Sequence, residues 1–206
     1  MGAALRNPKV WVFGICLLPL ARLIVLGGSD GLGANPIEFI TRSTGTWALV
    51  GLMVTLSVTP LRRLTGRTDL IRYRRMLGLF SFFYACLHFV IYIWLDQFFD
   101  PAAIAKDIVK RPFITVGFTA FVLLIPLAAT STHAMMRRLA RRWQQLHRLI
   151  YLIALLGVIH YLWLVKKDLT DPLIYGGILI LLLAMRLPWG VNLLQTARTR
   201  FVPVRT

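Results

Sequence analysis

Apolar residues along this chain do not alternate with polar ones; they gather into six long runs separated by short polar stretches. The runs read roughly Val10–Gly27, Trp47–Leu61, Met76–Leu95, Pro112–Ala129, Leu149–Val165 and Leu173–Leu187, with Gly45 and Thr46 able to extend the second. Several approach the ~20 residues a helix needs to cross ~30 Å of hydrocarbon. In lipid, backbone N–H and C=O groups must be satisfied within the segment, so runs this apolar predict helices. The pattern predicts an all-α, polytopic membrane protein: a six-transmembrane-helix bundle, one domain over residues 1–206, without linker or low-complexity segment. The first run carries Arg22 and no persuasive small-x-small cleavage site follows it, so it reads as a retained helix rather than a signal peptide.

The polar stretches are short. Gly28–Thr44 is rich in Gly, Asn and Pro and predicts a sharp turn; Asp96–Arg111 has room for a short interfacial helix; Lys166–Asp171 is tight. Pro19 and Pro126 fall inside predicted helices and predict local kinks. Gly51, Gly78, Gly117, Gly157, Gly176 and Gly177 allow close approach of a helix or a cofactor, and ordinary packing between membrane helices is the preferred reading.

Composition agrees with the pattern: 57% of the 206 residues are hydrophobic and only 16% charged, with a mean hydropathy of +0.68. The net charge of +16 would suit a nucleic-acid binder, but its placement does not. Arg62, Arg63, Arg67, Arg72, Arg74 and Arg75 follow the second run, and Arg137, Arg138, Arg141 and Arg142 follow the fourth. Arg6 and Lys9 precede the first run, and Arg198, Arg200 and Arg205 follow the last. With six alternating helices these fall on one side, while Asp30, Glu38, Asp96, Asp100, Asp107, Asp168 and Asp171 fall on the other; Asp69 is the exception. The positive-inside rule then puts both termini in the cytoplasm, and the basic excess becomes topology and anionic-lipid contact. Cys16 and Cys86 sit within apolar runs and read as small buried hydrophobes, with no disulfide or zinc motif.

Of the four histidines, three lie in or beside apolar runs: His88, His147 and His160. An ionisable side chain in a membrane segment is a functional candidate by default, and neutral imidazole is a haem-iron ligand. His88 lies about 20 Å up the third helix from its inner end, and His160 about 20 Å further out than His147 on the fifth. His88 and His160 therefore share a depth in the outer half, where two imidazoles can clamp one haem iron from both faces. That arrangement suits electron transfer, because no coordination position stays open. His147 lies near the inner edge, roughly 140° around an ideal helix from His160; a second inner haem, a flavin and a quinone head group are all open to it. Arg22, about 18 Å up the first helix, either pairs with a haem propionate or snorkels to the interface. His133, in an Arg-rich connection, reads as solvated.

The chain resembles the haem-binding membrane subunits of the periplasmic methionine sulfoxide reductase system (the MsrQ, or YedZ, family) within the ferric-reductase-like transmembrane group. The stretches that carry the resemblance run in order over nearly the whole chain: GLGANPIEFITRSTG, VTPLRRL, LIRYRRMLGLF, YACLHFVIY, KRPFITVG, LAATST, RRWQQLHRLIYLIALLGVIHYLW and DPLIYGGILILLLAMR. RRWQQLH with the later IHYLW is the most specific. The resemblance implies one or two b-type haems, with ligands at His88, His147 and His160, in the bacterial inner membrane. It also implies an electron path outward to a soluble molybdopterin-containing reductase that repairs oxidised methionines. FMN and a quinone-pool electron source are associated with the family as well. The wider group usually carries two histidines on each of two helices, and this chain has one on its third.

The chain carries no dinucleotide-binding fingerprint and no soluble domain for a nicotinamide, so electrons come from membrane quinol or a separate cytosolic flavin reductase. It reads as a non-catalytic electron-transfer subunit. The alternatives are a self-contained ferric or quinone reductase cytochrome b, or a cofactor-free small transporter or assembly factor.

Overall fold

The computed structural model describes residues 7–201; Arg6 and Arg205 lie outside the described residues, as do the side chains of Arg198 and Arg200. The described residues form helices and no strands. In chain order they are α1 (Pro8–Gly28), α2 (Pro36–Thr65), α3 (Ile71–Ile91), α4 (Pro101–Lys110), α5 (Pro112–Ala129), α6 (His133–Leu139), α7 (Arg141–Leu146), α8 (Leu149–Leu164), α9 (Thr170–Ala184) and α10 (Pro188–Phe201). The end carrying the α1–α2, α3–α5 and α8–α9 connections is called outer here, after the charge pattern.

Five helices are long and apolar enough to span a membrane, with α7 and α8 together forming the fifth span; α9 and α10 make a sixth only as one bent segment. The sixth apolar run departs from the straight helix expected of it. Helix α9 has 15 residues, about 22 Å at 1.5 Å each, and α10 leaves it at 85°. The break precedes Pro188, which has no N–H to continue the ladder.

A second correction concerns Gly28–Thr44, read as a turn. Most of it is helix. Asn35 caps α2: its side chain accepts from the Glu38 N–H (3.3 Å) and donates to the Glu38 carboxylate (2.9 Å). Pro36 occupies the first helical position, where a missing N–H costs nothing. The dipeptide that looked like a turn is a helix start. The expected interfacial helix is present as α4, with the Asp100 side chain accepting from Ala102 and Ala103 N–H groups.

Two of the three prolines inside the described helices, Pro19 and Pro60, are answered from neighbouring segments. Beside Pro19, the Tyr84 hydroxyl donates to the Cys16 carbonyl (2.7 Å) and accepts from the Leu20 N–H (3.3 Å). Those two groups pair with each other in an uninterrupted helix. Pro60 cannot donate to the Leu56 carbonyl four residues back; Arg186, just past α9, supplies the missing donor at 2.5 Å.

The closest packing joins α2 to α3 and α5 to α8. At the first of these, a Cβ on Gly51 would lie 2.9 Å from that of Ser81, whose hydroxyl donates to the Ala48 carbonyl (2.7 Å). These two helix pairs face each other. In the inner half they bury an apolar core around Leu52, Met53, Leu56, Leu124, Leu127, Ile150, Ile153 and Ala154; in the outer half a cavity opens between them. Large apolar side chains such as Trp11, Ile24 and Ile180 point outward, as a lipid-facing surface requires. Cys16 and Cys86 are free and half-buried.

Candidate haem site

The cavity occupies about 320 Å³ and is lined by α2, α3, α5 and α8, with Ile108 of α4 at its rim. His88 enters from α3 and His160 from α8. Their ring centroids are 6.2 Å apart and the ring planes stand 76° to each other.

Each imidazole is oriented by main chain. His88 Nδ1 donates to the Thr41 carbonyl (2.9 Å), and His160 Nδ1 donates to the Phe113 carbonyl (2.7 Å); both pairs are 47 residues apart in the chain. A carbonyl can only accept, so Nδ1 carries the proton and Nε2 of each ring keeps its lone pair. The carbonyls are reachable for a reason written in the sequence. In a helix the Cα–Cβ bond tilts towards the N-terminus, so the side chain at i+4 stands beside the carbonyl at i. Four residues after Thr41 comes Gly45, and four after Phe113 comes Gly117. A Cβ on Gly45 would lie 3.0 Å from His88 Cε1; one on Gly117 would lie 2.6 Å from His160 Nδ1. The same carbonyl–glycine–imidazole unit thus occurs twice, once in each helix pair. Gly45 was missed from sequence and Gly117 was read as helix packing; the equal spacing from each to its histidine was the available signal. Gly117 holds the ligand candidate in place, beyond the ordinary helix packing expected of it.

These residues fit a haem. Metal–imidazole bonds of about 2 Å on opposite sides of one ion place the two ring centroids about 6 Å apart, matching the observed separation. Among the described residues no group of three or more His, Cys, Asp or Glu could hold an ion by itself. Two imidazoles suit a metal that brings its other ligands with it. Most of the remaining wall is apolar, including Phe89 and Phe121, whose rings lie 4.6 Å apart, while Thr46, Ser81, Tyr92, Tyr161 and Asp96 add polar groups to it. Arg42 and Arg111 stand at the outer mouth, tethered to Glu38 (2.6 Å) and Asp107 (3.3 Å); sequence reading missed both.

The other candidates are elsewhere. Arg22 is exposed on α1 and does not line the cavity; its guanidinium lies 5.8 Å from the Phe39 ring centroid. His147 is at the inner end, where the helix breaks between α7 and α8, so an angle counted along one ideal helix does not apply. Its Nε2 bonds the Thr130 hydroxyl (3.1 Å) and its ring stacks on Trp143 at 3.9 Å. His133 is exposed at the start of α6.

The ferric reductase like transmembrane component family matches residues 44–158, which span both histidine-bearing helices up to Val158. The chain is 58% identical over 189 residues to the protein-methionine-sulfoxide reductase heme-binding subunit MsrQ of Ralstonia nicotianae, covering 90% of this chain and 87% of that one. It is 58% identical over 185 residues to the protein of the same name from Herminiimonas arsenicoxydans (88% and 85% covered). The one from Rhodospirillum rubrum is 55% identical over 198 residues (94% and 93%). No solved structure matches the chain.

Proposed function

From the premise that the chain belongs to the MsrQ family of haem-binding subunits, within the ferric-reductase-like transmembrane group, we propose that His88 and His160 hold one b-type haem and that the protein conducts electrons through it to a periplasmic reductase. The observation that carries this is the pair of carbonyl-anchored imidazoles with centroids 6.2 Å apart. The bound haem supplies a one-electron couple at that depth.

The chain's own residues do the rest. The Thr41 and Phe113 carbonyls fix the tautomer and raise the basicity of each Nε2. His88 and His160 together would hold the haem iron with no position left for oxygen, which would favour electron transfer over oxygen chemistry. Arg42 and Arg111, which line the cavity, would offer guanidiniums to haem carboxylates. The apolar core beneath keeps water and ions from following the electron.

The chain sits in the bacterial inner membrane with both termini cytoplasmic. Electrons enter at the inner end from membrane quinol or a cytosolic flavin reductase, with FMN as a carrier on that side. They leave at the outer end to a molybdopterin-containing reductase that reduces methionine sulfoxide. The sulfur chemistry belongs to that partner.

The test is a reduced-minus-oxidised spectrum of the purified protein with a pyridine haemochrome count. One b-type haem per chain is expected, and His147→Ala should leave that ratio unchanged. No Soret band at all would sink the reading; two haems falling to one in His147→Ala would move a ligand to the inner end. At the mouth, Arg42→Leu is expected to lower the midpoint potential by roughly tens of millivolts, since a nearby cation stabilises the reduced form. Arg22→Leu should leave it where it was. Potentiometric titration of both variants decides, and a shift confined to Arg22→Leu would return the propionate role to Arg22.

A further inference from the structure

The inner end of the bundle holds a second concentration of charge. Arg63 ends α2, Arg74 lies in the first turn of α3, and Arg186 follows α9. Arg74 and Arg63 are both within electrostatic reach of Arg186, and Arg74 is within reach of His147. Like charges so placed repel one another, and each loses hydration.

No acid compensates them. Among the described residues, no ion pair involves Arg63, Arg74 or Arg186; Asp69, the acid of this connection, faces Arg67 (3.7 Å) and Arg72 (3.9 Å). Arg186 uses its two terminal nitrogens on the Leu56 carbonyl (2.5 Å) and the Tyr151 hydroxyl (3.2 Å). Its Nε is buried without a partner, and so is Nη1 of Arg63. A buried N–H of a cation left unpaired costs free energy that a bound acceptor recovers.

We propose that Arg63, Arg74 and Arg186 form an anion site at the inner end for a phosphate group, beside the stacked His147–Trp143 pair. A phosphate carries up to two negative charges and several strong acceptor oxygens, so one group can answer guanidiniums arriving from three helix ends. The forked N–H pattern of arginine matches it. Two sources carry this chemistry to a cytoplasmic membrane edge: the headgroup of an anionic phospholipid, and the phosphate monoester of a soluble redox cofactor. The site stands independently of the haem assignment, so haem content serves as the control.

The test uses the full haem-loaded chain in lipid nanodiscs. Riboflavin and flavin mononucleotide, which differ by the phosphate alone, are titrated by flavin fluorescence. Melting temperature is compared in nanodiscs of phosphatidylcholine with and without phosphatidylglycerol. Arg63→Gln is the main variant, because the Arg63 side chain makes no hydrogen bond that folding needs; Arg74→Gln is the second. If the monoester is the source, the phosphorylated flavin binds about tenfold or more tightly than riboflavin, and either variant erases the difference. If lipid is the source, the flavins bind alike while phosphatidylglycerol raises the melting temperature of the wild type and not of the variants. The proposal is overturned if wild type shows neither discrimination, if both variants keep the discrimination that wild type shows, or if they lose haem. Loss of haem would assign the guanidiniums to a haem carboxylate.

Discussion

His160→Ala is expected to strip the protein of its haem, reducing the Soret absorbance per chain to below about a tenth of wild type, with His88→Ala doing the same. A b-type haem is held without covalent bonds to the chain, so each axial imidazole carries a large share of the affinity. Losing even a residue that only orients a metal ligand typically costs 10–100-fold in affinity, and these substitutions remove the ligand itself. Alanine at 160 also removes the side-chain donor of the Phe113 carbonyl, whereas at 88 the Thr41 carbonyl keeps the Thr44 hydroxyl (3.0 Å). Those carbonyls still belong to helix ladders, so the fold should survive. Adding free imidazole to His160→Ala should restore a low-spin spectrum, which a merely structural defect would not allow. If both alanine variants keep full haem content and an unaltered spectrum, the ligand assignment is wrong.

The second large effect comes from one methyl group. Gly117→Ala would place a Cβ 2.6 Å from His160 Nδ1, 2.8 Å from Cε1 and 3.0 Å from Cγ. The contact is with the whole near edge of the ring, and the ring is already tied to the Phe113 carbonyl at 2.7 Å. It can retreat only by giving up that bond and its place opposite His88. Haem content should fall at least about tenfold, in line with losses of metal-orienting contacts. Alanine is the better helix former by up to about 1 kcal/mol, so the helix itself gains. Haem loss without loss of helical content by circular dichroism is therefore the signature. Gly45→Ala, whose Cβ would lie 3.0 Å from His88 Cε1, should act in the same direction but less strongly. Gly14→Ala, with nothing within 4 Å, is the neutral control. Full haem loading in Gly117→Ala would show that the ring has more freedom than the packing implies.

The apolar runs made five spans and the interfacial helix legible, because lipid permits few alternatives to a helix. The depth match of His88 and His160 was legible for a related reason: alternation of the spans makes the two helices run the same way, and a fixed rise per residue did the rest. What sequence reasoning lost was partly local and partly set by a neighbouring helix. Asn35–Pro36 signals a turn and a helix start equally well, and the local Glu38 cap decides between them. His147 could not be aimed, because the helix through it is broken. Arg42, Arg111 and Gly117 acquire roles only when α2 and α5 come to face α3 and α8. Arg22 is exposed on α1, beside Phe39 and outside the cavity lining, which the sequence did not reveal.

The bond from Arg186 to the Leu56 carbonyl ties the end of α9 to the interior of α2 across most of the chain's length. Chains emerge from the ribosome N-terminal end first. For most of translation, then, the carbonyl that Pro60 leaves without its helical donor precedes its later partner in the chain. In the finished fold Arg186 answers that group: a donor made late in the chain completes a helix made early.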